Sequence, residues 1–467
     1  MRDSLRQPAG ESSSNFKKQG PLGGYPQRGN GILRKAAYTE VENMSKKAIA
    51  AVQEGYEYAK KTYAVYGVDT DEVLEKMRDR HISLHCWQGD DVTGFEVSAT
   101  GASGGILSTG NYPGKARNGD ELRADYEKAF SLIPGKHRVN LHAIYAETDG
   151  KAVDRDAITT EHFRKWINWA KKLEIAIDFN PTCFSHPMAA SGFTLGSKDE
   201  KVRRFWVDHV KACRKIAADI GRELGTACIM NIWVPDGMKD IPADRMGYRA
   251  QLKKSLDEIF AVKYDRKYLI DAFESKLFGI GVESYTAGSH EFVMGYSLKN
   301  NLTITYDMGH FHPTESIADK ISSTLLFADD LLLHVSRPVR WDSDHVVILN
   351  DDLIAAAQEV KRCGAFDRVY YALDFFDGSI NRITAWVTGT RAALKSIMFA
   401  MLEPTDLLRN AENKANFGDR LALMEEFKTL PFGAVWDKYC ADMNVPAGAD
   451  WLSDVKEYEE KVLSKRR

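Results

Sequence analysis

No apolar run in this 467-residue chain approaches the roughly 18 residues that a membrane span needs, so a soluble protein is expected. Charge of one sign is also missing. The 63 Lys and Arg nearly balance 66 Asp and Glu, and a net charge of −3 gives no field for gathering nucleic acid. Cysteine is sparse: Cys86, Cys183, Cys213, Cys228, Cys363 and Cys440 lie far apart, with no C-x-x-C pair. That usage argues against a disulfide scaffold or a zinc ribbon and for a reducing compartment, here the cytoplasm. The stretch "TGNYPGK" lacks the G-x-x-x-x-G-K-[ST] spacing of a phosphate loop. No internal repeat at a solenoid period is visible.

Residues 1–38 stand apart. "GESSSNFKKQGPLGGYPQRGNG" is rich in Gly, Ser, Pro and basic residues and poor in aliphatics, the composition of a disordered extension. It has no apolar h-region for a signal peptide, and Asp3 and Glu11 fit a transit peptide poorly. An interaction tail or a misassigned start is the preferred reading.

What is present is a core-forming composition, 44% apolar and 10% aromatic. After a helical stretch from Tyr38 to about Asp79, strand-like runs recur: "ISLHCW", "RVNLHAIY", "LEIAIDFN", "ACIMNIWV", "KYLIDAFESK", "LTITYDMGH", "LLLHVSR" and "VYYALDFF". Helical patterns such as "VRRFWVDHVKACRKIAADIG" separate several of them. Strands alternating with helices imply crossovers and a parallel sheet. Eight within about 300 residues predict an α/β fold, a (β/α)8 TIM barrel over residues 39–379. A doubly wound open sheet has no Gly-rich turn after the first strand to support it. Residues 380–467 read as a helical C-terminal extension.

A barrel of this kind gathers functional groups at the C-terminal ends of its strands. Run five ends in Glu274 and Lys276, two apart and so on one face of an extended chain. Run six ends in Asp307 and His310, with Gly309 expected to let the backbone turn between them. Run seven carries His334, and "RPVRWDSDHV" after it holds Asp342 and Asp344. Run eight ends in Asp374, with Asp377 just beyond. Singly, each acid reads as a solvated charge or helix cap, and His334 as a hydrogen-bonded core histidine. Together, carboxylates converging in one mouth would repel without a cation. Imidazole and carboxylate suit an ion such as Mn2+, Co2+ or Mg2+. Seven side chains exceed one ion's needs, so two are expected: a closed structural site of Glu274, Asp307, His334 and Asp374, and a more open one of His310, Asp342 and Asp344.

These residues sit in longer motifs. "HCWQGDDVTGFE", "NLHAIYAE", "DFNPTCFSHP", "MNIWVPDGMKD", "ESKLFGIGVESYTAGSHEF", "DMGHFHPTE", "LLLHVSRPVRWDSDHVV" and "LDFFDGSINRI" together resemble the L-rhamnose isomerase family, from about residue 40 to the C-terminus. The resemblance implies interconversion of L-rhamnose and L-rhamnulose (the first step of L-rhamnose catabolism), an Mn2+ requirement, a barrel similar to xylose isomerase and a homotetramer. It carries the manganese ligands onto His310, Asp342 and Asp344 and the structural ion onto Glu274, Asp307, His334 and Asp374, with Glu274 or Asp307 a candidate for sharing. Residues 1–38 have no counterpart in the family.

Two metal sites favour a metal-assisted hydride shift between C1 and C2 over an enediol route. Lys276 is expected to neutralise charge on a substrate oxygen, unless it is a structural ion pair with Glu274 or another acid. Asp374 or His310 would carry the hydroxyl proton through a water. Trp87, His142 and Trp233 are expected to bind the sugar, against an alternative of plain core packing. His312 is left outside the metal set, and "QGDDVTGFE" reads as a mobile loop over the mouth. The competing classes are an isomerase of another aldose, a metal-dependent hydrolase or endonuclease on the same barrel, and a non-catalytic sugar- or metal-binding protein.

Overall fold

The computed structural model describes residues 51–87, 94–96, 110–279, 283–340 and 342–466. The extension 1–38 and the first part of the loop after run one, Gln88 to Thr93, lie outside the described residues. Val52–Arg467 forms one compact unit.

Eight parallel strands close into a barrel in sequence order. They are β1 (Ile82–His85), β2 (Arg138–His142), β3 (Ala176–Asn180), β4 (Cys228–Trp233), β5 (Leu269–Glu274), β6 (Thr303–Asp307), β7 (Leu331–Val335) and β8 (Val369–Leu373). β8 closes on β1 through the pair Ile82 and Tyr371. A short antiparallel pair, Gly237–Met238 with Tyr285–Thr286, lies outside the barrel sheet. The strands are almost entirely buried because their inner faces fill the barrel and their outer faces meet helices. Ile229, Ile270, Ala272, Leu332 and Ala372, from β4, β5, β7 and β8, form one apolar cluster separate from the larger core.

The strands are shorter than the apolar runs that announced them. Leu173 closes the helix Arg164–Leu173, and the chain turns at Glu174 with φ 54° before β3 begins. Beyond His142 the backbone tightens into a 3-10 turn, Ala143–Tyr145. In both places apolar residues continue past the pairing because they pack on the core, so hydrophobicity alone overruns the ladder.

Each crossover carries a helix, and the starts of several are readable locally. Asn118, Asp199 and Asn350 accept backbone N–H groups at the N-termini of Gly119–Phe130, Glu200–Leu224 and Asp351–Arg362. Past residue 379, Arg382–Met401 follows β8 and packs on β1, with Trp386 stacked 4.7 Å from Tyr126. The remaining helices, Thr405–Asn413, Phe417–Glu426, Phe432–Asp442 and Trp451–Lys461, bring the C-terminus back to the barrel. There the Arg466 guanidinium donates to Asp125 at 2.6 and 2.9 Å. Among the described residues no helix is long and apolar enough to cross a membrane.

Candidate active site

The C-terminal ends of the strands surround a pocket lined by Trp87, His142, Asn180, Phe184, Asn231, Trp233, Glu274, Lys276, His310, His334, Asp344, Asp374 and Phe376. Of the metal, catalytic and sugar-binding residues expected from the sequence, all but Asp307 and Asp342 line this pocket, and those two touch residues that do.

Two ligand groups emerge. Glu274, Asp307, His334 and Asp374 each offer an atom within 4.8 Å of the others. His334 Nδ1 lies 3.1 Å from Asp374, 3.3 Å from Glu274 and 3.8 Å from Asp307. The second group is Asp307, His310 and Asp342, so Asp307 belongs to both. Asp344 falls outside that second triplet, but its Oδ1 is buried without a hydrogen bond and faces the same point as Asp307 and Asp342. Its backbone is held at φ 38°, an uncommon conformation for a non-glycine residue, and its carbonyl accepts from Phe376 N–H at 2.7 Å.

Gly309 lies in the turn expected there, with His310 N–H donating to the Asp307 carbonyl at 3.2 Å, and it eases the approach of the carboxylates. It has no left-handed φ; instead a Cβ there would lie 3.2 Å from one oxygen each of Asp307, Asp342 and Asp344. Its N–H donates to Asp307 Oδ1 at 2.6 Å. A Cβ there would be tight, and the three carboxylates would each have to give by a few tenths of an ångström.

The electrostatics match a cation site. Burial, with Asp374 and Glu274 nearby, pushes Asp307 up to about 8. Burial and then Asp342, Asp307 and Asp374 drive Asp344 well above the usual carboxylate range. Burial opposes charge on His310 and His334, but Asp307 beside the first and Glu274 beside the second outweigh it and raise both well above the ordinary value. Carboxylates crowded together in so buried a place are what a divalent cation would relieve. Asp307 Oδ2, Asp342 Oδ1, Asp344 Oδ1 and both ring nitrogens of His334 are buried with no hydrogen bond. Buried polar atoms normally have partners, so this concentration of free donor atoms fits a metal. His310 donates from Nδ1 to the Ser275 carbonyl at 2.7 Å, which leaves Nε2, 3.1 Å from Asp342 Oδ1, as its ligand atom.

A family model described as L-rhamnose isomerase (RhaA) matches residues 50–466. The chain belongs to the L-rhamnose isomerase family. The L-rhamnose isomerases of Salmonella paratyphi A and Salmonella typhimurium are each 55% identical over 415 residues, 89% of this chain and 99% of theirs. Among solved structures, D-psicose 3-epimerase from Clostridium cellulolyticum H10 with D-tagatose aligns over 70% of this chain and 99% of its own, at 11% identity and a TM-score of 0.42.

Lys276 does not pair with Glu274. Its ammonium contacts Asp342 Oδ2 and lies 3.2 Å from His310 Nε2, over the Trp233 ring at 5.0 Å. Strand alternation puts Glu274 and Lys276 on one side, but Lys276 lies past the end of β5 and reaches across to the chain following β7. The aromatic wall is Trp87 stacked 5.4 Å from Phe376, and Trp233 edge-on to Phe184 at 5.3 Å. The Trp233 indole N–H is buried without a partner. His142 meets Thr182 Oγ1 at 2.9 Å, and burial pushes its ring down to about 3, so it is a neutral group.

His312 is exposed, its Nδ1 2.8 Å from Thr314 Oγ1. Asp377 is bound to Ser379 N–H at 2.9 Å and plays no part in the cluster. The sequence reading missed Asn231, Asn180, Phe184 and Phe376. Asn231 did carry a signal: it is the lone polar residue in the buried run "CIMNIW", two before Trp233 and so on the same side of the strand.

Proposed function

We propose that this protein is an aldose–ketose isomerase that interconverts L-rhamnose and L-rhamnulose as the first step of L-rhamnose catabolism, working as a cytoplasmic homotetramer. The observation that carries the reading is the convergence of seven acidic and imidazole side chains beneath aromatic walls, in a chain of this family. Glu274, Asp307, His334 and Asp374 would hold a structural Mn2+, and His310, Asp342 and Asp344 with Asp307 a catalytic one, with Co2+ or Mg2+ able to substitute. When bound, such ions supply Lewis acidity toward O1 and O2 of the open-chain sugar, which favours a 1,2-hydride shift over an enediol.

The chain's own groups do the rest. In the forward direction hydrogen leaves C2 and arrives at C1, the O2 hydroxyl loses a proton and O1 gains one. Asp374, with a side chain 19% exposed against 1–3% for Glu274, Asp307 and Asp342, is the carboxylate best placed to take the O2 proton through a water. Lys276 presents a buried ammonium that balances negative charge on O1. Trp87 and Trp233 offer ring faces to the C–H face and the C6 methyl, and neutral His142 holds a hydroxyl.

The test is ketose formation from L-rhamnose by purified protein with Mn2+, with and without chelator. Metal-dependent L-rhamnulose is expected, and its absence overturns the reading. Run in deuterated water, little solvent deuterium in the product supports the hydride shift, whereas extensive incorporation supports the enediol.

A further inference from the structure

Glu274 belongs to the ligand group of Asp307, His334 and Asp374, and its two oxygens face different histidines. Oε1 lies 3.1 Å from His310 Nδ1, and Oε2 lies 3.3 Å from His334 Nδ1. A carboxylate on a strand end can rotate about its last two torsions, so this division needs something to hold it. Asn231 supplies the restraint. Its Nδ2 donates to Glu274 Oε2, and its Oδ1 accepts from Thr305 Oγ1 at 2.7 Å. All three side chains are buried, Glu274 at 3%, Asn231 at 2% and Thr305 at 0% exposure.

We propose that Asn231, itself aimed by Thr305, is a positioning residue that fixes the Glu274 carboxylate as a ligand of the site it shares with Asp307, His334 and Asp374. This rests on the metal-dependent reading above. The chemistry of the amide explains why an asparagine stands here. A buried carboxylate beside two histidines requires a donor on its outer lone pair. Lys or Arg would donate, but would also place a positive charge against the cation. Asp would add a sixth carboxylate beside Glu274, Asp307, Asp342, Asp344 and Asp374. An amide donates without charge, and its orientation is set from behind: turned over, its oxygen would face the Glu274 carboxylate and its NH2 would lose the carboxylate. Hence the Thr305 hydroxyl, on β6, locks a side chain of β4 that in turn locks a ligand of β5. Asn231 touches neither a ligand nitrogen nor the proposed proton path, so its effect passes through Glu274.

Metal affinity read apart from catalysis tests this. Mn2+ is titrated into chelator-stripped wild type, Asn231→Leu, Thr305→Val and Thr305→Ser, with free Mn2+ followed by electron paramagnetic resonance. Two ions per chain are expected in the wild type. In Asn231→Leu at least one should bind roughly 10- to 100-fold more weakly, the range typical for loss of an outer-sphere hydrogen bond. Thr305→Val should weaken the same site by less, and Thr305→Ser, which keeps the hydroxyl, should restore it. With L-rhamnose at saturating Mn2+, kcat should fall while KM stays within about twofold, because Trp87, His142, Trp233 and Lys276 keep their places. Wild-type Mn2+ affinity in both Asn231→Leu and Thr305→Val overturns the positioning role while leaving the isomerase reading intact. Absence of Mn2+ binding in the wild type itself overturns both. Should Asn231→Leu fail to fold, unchanged Mn2+ affinity in Thr305→Val alone rejects the proposal.

Discussion

The ammonium of Lys276 is buried against Oδ2 of Asp342, with side-chain exposures of 4% and 2%. The other oxygen of Asp342 makes no hydrogen bond and lies 3.1 Å from His310 Nε2. The pair therefore orients Asp342 so that one oxygen is neutralised and the other stays open toward the second ligand group. Lys276 serves a ligand on one side and the sugar pocket on the other.

Replacing Lys276 by Met keeps the length and removes the charge. Turnover should fall about 100- to 1,000-fold, the cost of deleting one preorganised electrostatic contact in a closed site. Lys276→Arg should recover little, since a planar fork does not superpose on a compact ammonium. Steady-state kinetics on L-rhamnose decide it, and a Met variant within threefold of wild type removes Lys276 from the mechanism.

Asp307 and Asp342 should differ in kind. Asp307 belongs to both ligand groups, so Asp307→Asn should weaken both Mn2+ sites, whereas Asp342→Asn should weaken one. Stripping the metal should also lower the melting temperature, because binding to the native state alone adds about 2.7 kcal/mol at a hundredfold excess over Kd. Metal stoichiometry by elemental analysis, beside thermal melts with and without chelator, checks both statements.

His137, far from the metal cluster in sequence and contacts, gives the protein an acid limit. Its Nδ1 accepts from Ile82 N–H at 3.3 Å and its Nε2 donates to the Pro134 carbonyl at 3.1 Å, so the ring is held neutral. Burial pushes it down to about 4. Because the folded value lies below the unfolded one, near 6.5, its contribution is complete above pH 6.5 and is lost as pH falls through 4. Over that window the loss amounts to about 3 kcal/mol. Denaturant melts between pH 7 and 4 should show this decline, and His137→Gln should flatten it. An equally steep decline in the variant would assign the acid sensitivity elsewhere.

Two helix glycines should respond oppositely to alanine. At Gly295, in His290–Asn300, a Cβ meets nothing within 4 Å, so Gly295→Ala should stabilise by about 0.5–1 kcal/mol. At Gly221, in Glu200–Leu224, a Cβ would come within 1.9 Å of the Tyr268 carbonyl oxygen. There the backbone clash outweighs propensity, and a loss of about 1–3 kcal/mol is expected. Melting temperatures of the two variants should move in opposite directions.

Much of this was legible in the chain itself. The recurrence of apolar runs and helical patterns set the barrel, because a strand buried on both faces must be apolar throughout and its polar residues are left to the ends. The acids and histidines at those ends were visible for the same reason, and the motif resemblance sorted them into two groups. Spacing along one strand says only which side a residue faces. It cannot say which strand ends meet, and there the tertiary structure decided. Lys276 shares a side with Glu274 yet pairs with Asp342, 66 residues away. Asp307 falls in both ligand groups because β6 stands between β5 and β7, where the two groups touch. Asn231, an apparent irregularity in an apolar strand, becomes the tether of Glu274 only when closure of the barrel sets β4 beside β5 and aligns Trp233 with Glu274.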